Sequence, residues 1–336
     1  MAKFVFYCRV DRSTLDAFEY YKQDIDALEA LGHEVVVCTK YREIPHRFDA
    51  MFIWWWTYAL LPVLLCRLLR RPCLITGAYN FRFPTGFDGT DYLRRPYWQR
   101  WLIGRATSLC SLNLFINEAE LHECASHFKI RTARYYPCIV HADYLRGPVS
   151  ERTSALFNVA WSGRQNLIRK GIPELLHAVR LLKDEGLNIR LNLAGLKGDG
   201  ADFLLGAVTR LGLADVVTCL GPLTRADKIA RLRTCDVYVQ PSHYEGFGLA
   251  IAEAMGCGAC VIVCDVGAVR AVVGDCGVYV VPGSPAELAR AIKAVLDDAD
   301  MRRCLQGEAH RRASQLFTPD SKVERLRALL REVGVS

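Results

Sequence analysis

Two carboxylates, Glu245 and Glu253, bracket a short turn of Gly246, Phe247, Gly248 and Leu249. The apolar run Cys235-Asp236-Val237-Tyr238-Val239-Gln240 before it reads as a buried strand, and the residues from Leu249 onward have helical spacing. The turn is therefore expected where the carboxyl end of a strand passes into a helix. Backbone N–H groups of Gly246, Phe247, Gly248 and Leu249 would face outward there, reinforced by the helix dipole, and would hold a phosphate or sugar oxygen that glycine lets approach closely. Glu253 follows Leu249 by four residues, on the same helical face. At about 1.5 Å rise per residue it lies roughly 7 Å beyond the Gly248 amide, a diphosphate-to-ribose distance. Its carboxylate, a pure acceptor, suits two vicinal hydroxyls. Glu245 would sit on the other side, near whatever the phosphate carries.

Such a turn also serves as an ordinary strand-to-helix junction with solvated carboxylates, so a second stretch carries the argument further. Val159 to Leu176 runs strand, glycine turn at Gly163, two separated cations at Arg164 and Lys170, then Gly171 and an amphipathic helix. Arg164 offers a planar fork for phosphate oxygens and Lys170 a mobile point charge. Together they can neutralise a diphosphate leaving group without a metal.

These segments sit in a chain of alternating strands and helices, which implies α/β domains with parallel sheets and binding at strand carboxyl ends. Lys3 to Cys8 is expected as a strand, Leu15 to Leu31 as a helix, Gly32 to Cys38 and Leu112 to Ile116 as further strands. A helix is expected over Ser284 to Asp297 and a last one after Pro319. Gly, Pro and Ser cluster at Arg146-Gly147-Pro148-Val149-Ser150, which marks a linker. The expected organisation is residues 1–148 as one Rossmann-like domain, 149–315 as a second, and 316–336 as a closing helix. At 336 residues the chain is long for one domain, and 51% hydrophobic with 24% charged residues is a globular composition.

The chain resembles the retaining glycosyltransferases of family 4 (glycosyl transferases group 1). The resemblance rests on Glu245 and Glu253 with seven residues between them, on Gly163-Arg164 with Lys170-Gly171, and on three further segments. These are Leu191 to Gly195, Leu220-Gly221-Pro222-Leu223 and Ala254 to Asp265; Leu31 to Val37 is similar to the family's first helix-to-strand junction. The resemblance implies the GT-B architecture, two Rossmann-like domains facing across a cleft, with an acceptor-binding first domain, a donor-binding second domain and a last helix packing back on the first. It implies that Glu245 contacts the donor sugar, that Glu253 holds the ribose and that Arg164 and Lys170 hold the diphosphate, with Gly163, Gly221 and Gly246 to Leu249 lining the nucleotide. The expected reaction is transfer of a sugar from a UDP- or GDP-sugar to an acceptor hydroxyl of a glycan or lipid-linked acceptor, with retention and no metal or other cofactor. Another GT-B activity, an epimerase or phosphorylase, and a non-catalytic subunit supporting a partner transferase are the alternatives. In the first half the chain departs from the family. Arg9-Val10-Asp11-Arg12-Ser13-Thr14 stands where relatives have paired glycines, and Tyr79 and Asn80 stand where a histidine is often found.

Fourteen cysteines scattered through apolar runs suggest reduced, buried thiols and a cytoplasmic protein. Cys257, Cys260 and Cys264 lack the second ligand pair a metal site needs and are expected to be structural. Asp298-Ala299-Asp300 follows a helix and is expected to be its solvated end, and His243 is expected to be an ordinary packed or solvated residue. The opening Met1 to Arg9 is too short and too soon charged for a signal peptide. Ala50 to Cys66 is uncharged but is interrupted by Pro62, so a buried strand followed by a helix fits better than a membrane span. Residues 50–110 hold eight arginines against Asp88 and Asp91, an excess of six positive charges in a chain of net +7, interleaved with Tyr92, Tyr97, Trp98 and Trp101. That segment is expected either to dock on an anionic membrane surface, peripherally on the inner face, or to form a solvated basic face or acidic-substrate groove. No nucleic-acid-binding pattern accompanies the charge.

Overall fold

Among the described residues the strands are short, mostly apolar and paired in parallel, and they form two separate sheets. The computed structural model describes residues 1–82, 91–130, 132–147, 153–159, 163–195 and 198–335. One unit holds β1 (Lys3–Cys8), β2 (Glu34–Cys38), β3 (Ala50–Trp54), β4 (Cys73–Gly77), β5 (Leu112–Phe115) and β6 (Ala133–Tyr135), in the order β2-β1-β3-β4-β5-β6. The other holds β7 (Thr153–Val159), β8 (Arg190–Ala194), β9 (Val217–Gly221), β10 (Cys235–Gln240), β11 (Cys260–Cys264) and β12 (Val278–Val280), in the order β12-β11-β10-β7-β8-β9. The first order is flavodoxin-like and the second is the Rossmann order. Strands β3, β4, β5, β10 and β11 are buried along their whole length, as parallel strands covered on both faces must be.

Among the described residues, the first unit comprises 1–82 and those from 91 to Ile139, together with those from Phe317 onward, and the second those from Val140 to Leu316. The division thus falls before the expected boundary at 148, because Tyr144 and Leu145 of the turn of helix Ala142–Leu145 pack against Gly256 in the second unit. Pro148, Val149 and Ser150 of the expected linker lie outside the described residues. The closing helix Pro319–Glu332 packs on helix Glu19–Ala30 of the first unit. A buried ion pair fixes it: Lys322 Nζ is 2.9 Å from Asp24, donates to the Pro137 carbonyl at 3.0 Å and lies over the Tyr136 ring.

The helix expected over Leu15 to Leu31 is two helices, Arg12–Ala17 and Glu19–Ala30, separated at Phe18, which takes an extended conformation (φ −108°, ψ 116°). The break lets Phe18, Tyr20 and Tyr21 pack together, with Tyr20 and Tyr21 against Trp54 at the end of β3. Ala50 to Cys66 forms the buried β3 and then helix Leu60–Leu68, and among the described residues no helix is long and apolar enough to cross a membrane.

Candidate functional site

The strand order of the second unit brings together residues that are far apart in the chain. Its order reverses between β7 and β10, which lie side by side, and in open α/β sheets the ligand crevice lies outside the carboxyl ends of the strands at that reversal. After β7 come Gly163, helix Arg164–Arg169, Lys170 and Gly171; after β10 comes the loop Pro241 to Gly248. Trp161 and Ser162 of the same segment lie outside the described residues. The two loops are joined where the His243 amide donates to the Arg169 carbonyl at 2.8 Å, and the segment after β11 joins the second of them, where the Ala268 amide donates to the Glu245 carbonyl at 3.1 Å. Two glycines make this closeness possible. A Cβ on Gly171 (φ +70°) would lie 2.0 Å from the Pro241 carbonyl oxygen, and one on Gly267 (φ +55°) would lie 1.9 Å from that of Glu245. Both positions also hold left-handed backbone that favours glycine.

Glu245 sits at the centre of the crevice, 7% exposed. Its Oε1 accepts from Gln240 Nε2 at 2.6 Å and Ser242 Oγ at 2.8 Å and lies 3.4 Å from Lys170 Nζ and 3.7 Å from Arg169. Burial by itself would raise the Glu245 pKa, but the Lys170 and Arg169 charges and the Ser242 and Gln240 hydrogen bonds outweigh it and hold the carboxyl below its ordinary value. Burial lowers the Lys170 pKa in turn, opposed by the Glu245 carboxylate. The pair is thus a buried anion and cation, each stabilised mainly by the other. Helix Leu249–Gly256 starts at Gly248 without a side-chain cap, so its first amides have no acceptor within the helix. Gly246 and Leu249 are half-buried at this end, whereas the Phe247 side chain is buried at 5% exposure.

Glu253 occupies the next turn of that helix, buried at 5% exposure, and both its oxygens take Lys228 Nζ, at 3.0 and 2.9 Å. Lys228 lies on helix Arg225–Thr234, which follows β9 and Gly221, and its ammonium is 5.1 Å from the Tyr144 ring centroid. Gly221 ends β9 on the sheet edge, where its carbonyl accepts from the Gly195 amide at 2.7 Å.

The structure therefore joins Lys170 to Glu245 but does not bring Arg164 to either. Arg164 is exposed, with its guanidinium 5.0 Å over the Phe203 ring. Sequence reasoning missed Arg169, whose guanidinium donates to the Tyr244 carbonyl at 2.6 Å and reaches toward Glu245. Its one sequence signal is adjacency to Lys170. It also missed Lys228, for which the sequence offers no signal, since 24 residues separate it from Glu253. His243 pairs with Glu174 at 2.9 Å and ties the loop to helix Ile172–Asp184. Asp298 caps the backbone at Met301 and Asp300 pairs with Arg303, both at a helix junction. In the first unit, Arg9 stacks over Tyr58 and Tyr41, while Tyr79 lies in the core against Trp56 and Phe81. Tyr79 is thus a packing residue, because the aromatic cluster around it leaves only 6% of it exposed.

Residues 161–312 match the family described as glycosyl transferases group 1. A D-inositol 3-phosphate glycosyltransferase of Kineococcus radiotolerans is 35% identical over 134 residues, 36% of this chain and 31% of that protein. The chain spans about a third of the length of the curated relatives it matches first. Among solved structures, sucrose-phosphate synthase from Thermosynechococcus elongatus aligns over 99% of both chains with a TM-score of 0.77 at 18% identity. Anabaena HepE in complex with UDP and glucose aligns over 98% of this chain and 100% of its own, with a TM-score of 0.77 at 19% identity. These likenesses assign the GT-B fold.

Proposed function

We propose, from the match of residues 161–312 to the glycosyl transferases group 1, that this protein transfers a sugar from a nucleoside-diphosphate sugar to an acceptor hydroxyl, with retention of anomeric configuration. The observation that carries the reading is the buried Glu245–Lys170 pair beside the open helix end at Gly248, one helical turn from a second buried carboxylate, Glu253. The helix amides and Lys170, joined by Arg164 swinging off Phe203, receive the diphosphate as the sugar leaves. Glu245 accepts from sugar hydroxyls and Glu253 from the ribose diol. Retention follows if the acceptor hydroxyl attacks the face from which the diphosphate departs, with the departing phosphate taking the acceptor's proton. A UDP- or GDP-sugar fits the acidic ribose contact and the diphosphate clamp, and the UDP held by the structural neighbour HepE supports the same class of donor.

Because protein cations supply the charge that a divalent ion would otherwise supply, we expect transfer without a metal. The experiment is product analysis with candidate UDP- and GDP-sugars and a panel of glycan and lipid acceptors, with and without exhaustive EDTA. A glycosylated acceptor of retained anomeric configuration, formed at an EDTA-insensitive rate, is the expected result. An isomerised nucleotide sugar, or no turnover with any donor, would overturn the assignment, and activity restored only by Mn²⁺ would overturn metal independence.

The first unit supplies a reading of where the acceptor resides. Helices Leu60–Leu68 and Tyr97–Leu109 pack side by side and expose Leu61, Leu64, Leu68, Tyr97, Trp98 and Trp101, among exposed Arg67, Arg71 and Arg105. Tyr92, one of the interleaved aromatics, is instead buried against Phe81 and Phe128, and Asp88 lies outside the described residues. This apolar and basic face suits peripheral docking on an anionic leaflet, and fourteen free thiols suit the reducing, cytoplasmic side. Each basic side chain at such a surface contributes about 1 kcal/mol. The protein should therefore co-sediment with anionic vesicles at low salt, and the variant Arg67→Glu/Arg71→Glu/Arg105→Glu should remain largely in the supernatant. Wild type that stays unbound at low salt would argue for a soluble acceptor.

A further inference from the structure

The sheet of the first unit has its own reversal point, between β1 and β3, and a ligand of such a sheet belongs outside the carboxyl ends of those two strands. A cavity of about 460 Å³ lies there. Arg9, just after β1, and Tyr58, shortly after β3, line it with Tyr41, Leu61, Trp98 and Leu102. The size is that of a small-molecule site, and the walls are mainly apolar. One charge stands in it: the Arg9 guanidinium, 4.5 Å from the Tyr58 ring centroid and 5.5 Å from that of Tyr41. Among the described residues no carboxylate forms an ion pair with Arg9, so an anion there would meet an uncompensated cation. Leu61 and Trp98 are each 60% exposed and belong to the apolar face that the two helices present, so the cavity opens directly onto that face.

We propose that this cavity is the acceptor site and that it takes an anionic, lipid-linked acceptor: the first segment of the alkyl chain lies between Leu61, Trp98 and Leu102, and the anionic head group meets Arg9. A neutral sugar would leave the apolar walls and Arg9 unused, and a free phosphate would leave the walls unused. An uncharged lipid would leave Arg9 unpaired. This assignment rests on the transferase reading, since it names the acceptor of that reaction, but its test does not depend on turnover.

Alkyl phosphates of six to ten carbons, below their micellar concentrations, are titrated into the full chain without donor, with tryptophan fluorescence and calorimetry as readouts. Inorganic phosphate and decyl maltoside are the comparison probes. Affinity is expected to rise by up to about fourfold per added methylene, the fold-change for full burial of that group. Arg9→Met and Leu102→Trp, the latter filling the cavity, should each weaken decyl phosphate at least about tenfold. Leu61→Asp at the cavity mouth should do the same on a surface position that the fold tolerates. Leu68→Ser, on the same face but away from the cavity, should bind as wild type does. Equal binding by wild type, Leu61→Asp and Leu102→Trp would place the chain on the open face and overturn the site. Decyl maltoside binding as tightly as decyl phosphate would remove the role of Arg9, and inorganic phosphate binding as tightly would remove that of the apolar walls. Binding as expected in a protein that fails every transfer assay would uphold the pocket and overturn the transferase reading.

Discussion

Lys170→Met should lower kcat/KM by about 10²–10³, the loss seen when one preorganised donor to a departing charge is removed. It should also cost stability, because Glu245 is left buried with only the more distant Arg169 as cation; about 3 kcal/mol is the scale for a broken buried pair. The two effects separate in a double variant. Lys170→Met with Glu245→Gln should recover most of the denaturation midpoint, since no buried charge is then unpaired, without recovering turnover. Arg164→Ala supplies the contrast. Its side chain is exposed over Phe203, so its removal should leave the unfolding free energy within about 1 kcal/mol of wild type and act on turnover alone. Steady-state kinetics beside urea melts of the four proteins decide the matter. Wild-type turnover in Lys170→Met would reduce Lys170 to a structural counter-ion of Glu245.

Glu253→Ala should weaken the bare nucleoside diphosphate about 10- to 100-fold, the equivalent of one or two hydrogen bonds to a charged group at about 1.5–3 kcal/mol. Glu245→Gln should leave that affinity within about threefold and impair transfer instead, because the proposed role of Glu245 is to accept from the sugar and not from the nucleotide. Lys228→Met should resemble Glu253→Ala in direction, since the ammonium that orients both Glu253 oxygens is lost, and Lys228→Arg should recover part of the affinity. Calorimetry with UDP and GDP reads all four. Equal losses in Glu245→Gln and Glu253→Ala would sink the division of labour between the two carboxylates.

Candidate site residues could be named from the chain itself wherever residue identity and local spacing suffice, which leaves out Arg169 and Lys228. The interval from Glu245 to Glu253 crosses one turn and one helical repeat, and Gly163, Arg164 and Lys170 follow a strand directly, so local geometry places each relative to its own backbone. The alternation of apolar runs with amphipathic stretches likewise announced parallel sheets, and β1, β2 and helix Pro285–Asp297 lie within a few residues of where that pattern puts them. What the sequence could not carry was which of these residues meet. Lys170 reaches Glu245 across 75 residues only because β7 and β10 are neighbours in the sheet, and Lys228 reaches Glu253 only because the helix after β9 folds over the β10 crevice. Local periodicity specifies elements, whereas strand order is decided by the packing of all elements at once. The same holds for the surfaces. Composition gave eight arginines between 50 and 110, interleaved with Tyr92, Tyr97, Trp98 and Trp101, but tertiary packing buried Tyr92, exposed Leu61, Leu64 and Leu68, and left Arg9 beside two tyrosine rings in the lining of an apolar cavity. The closing helix shows the limit most directly: Pro319 marks where it starts, but the capping box between Thr318 and Ser321 and the burial of Lys322 against Asp24, which returns it to the first unit, are seen only in the structure.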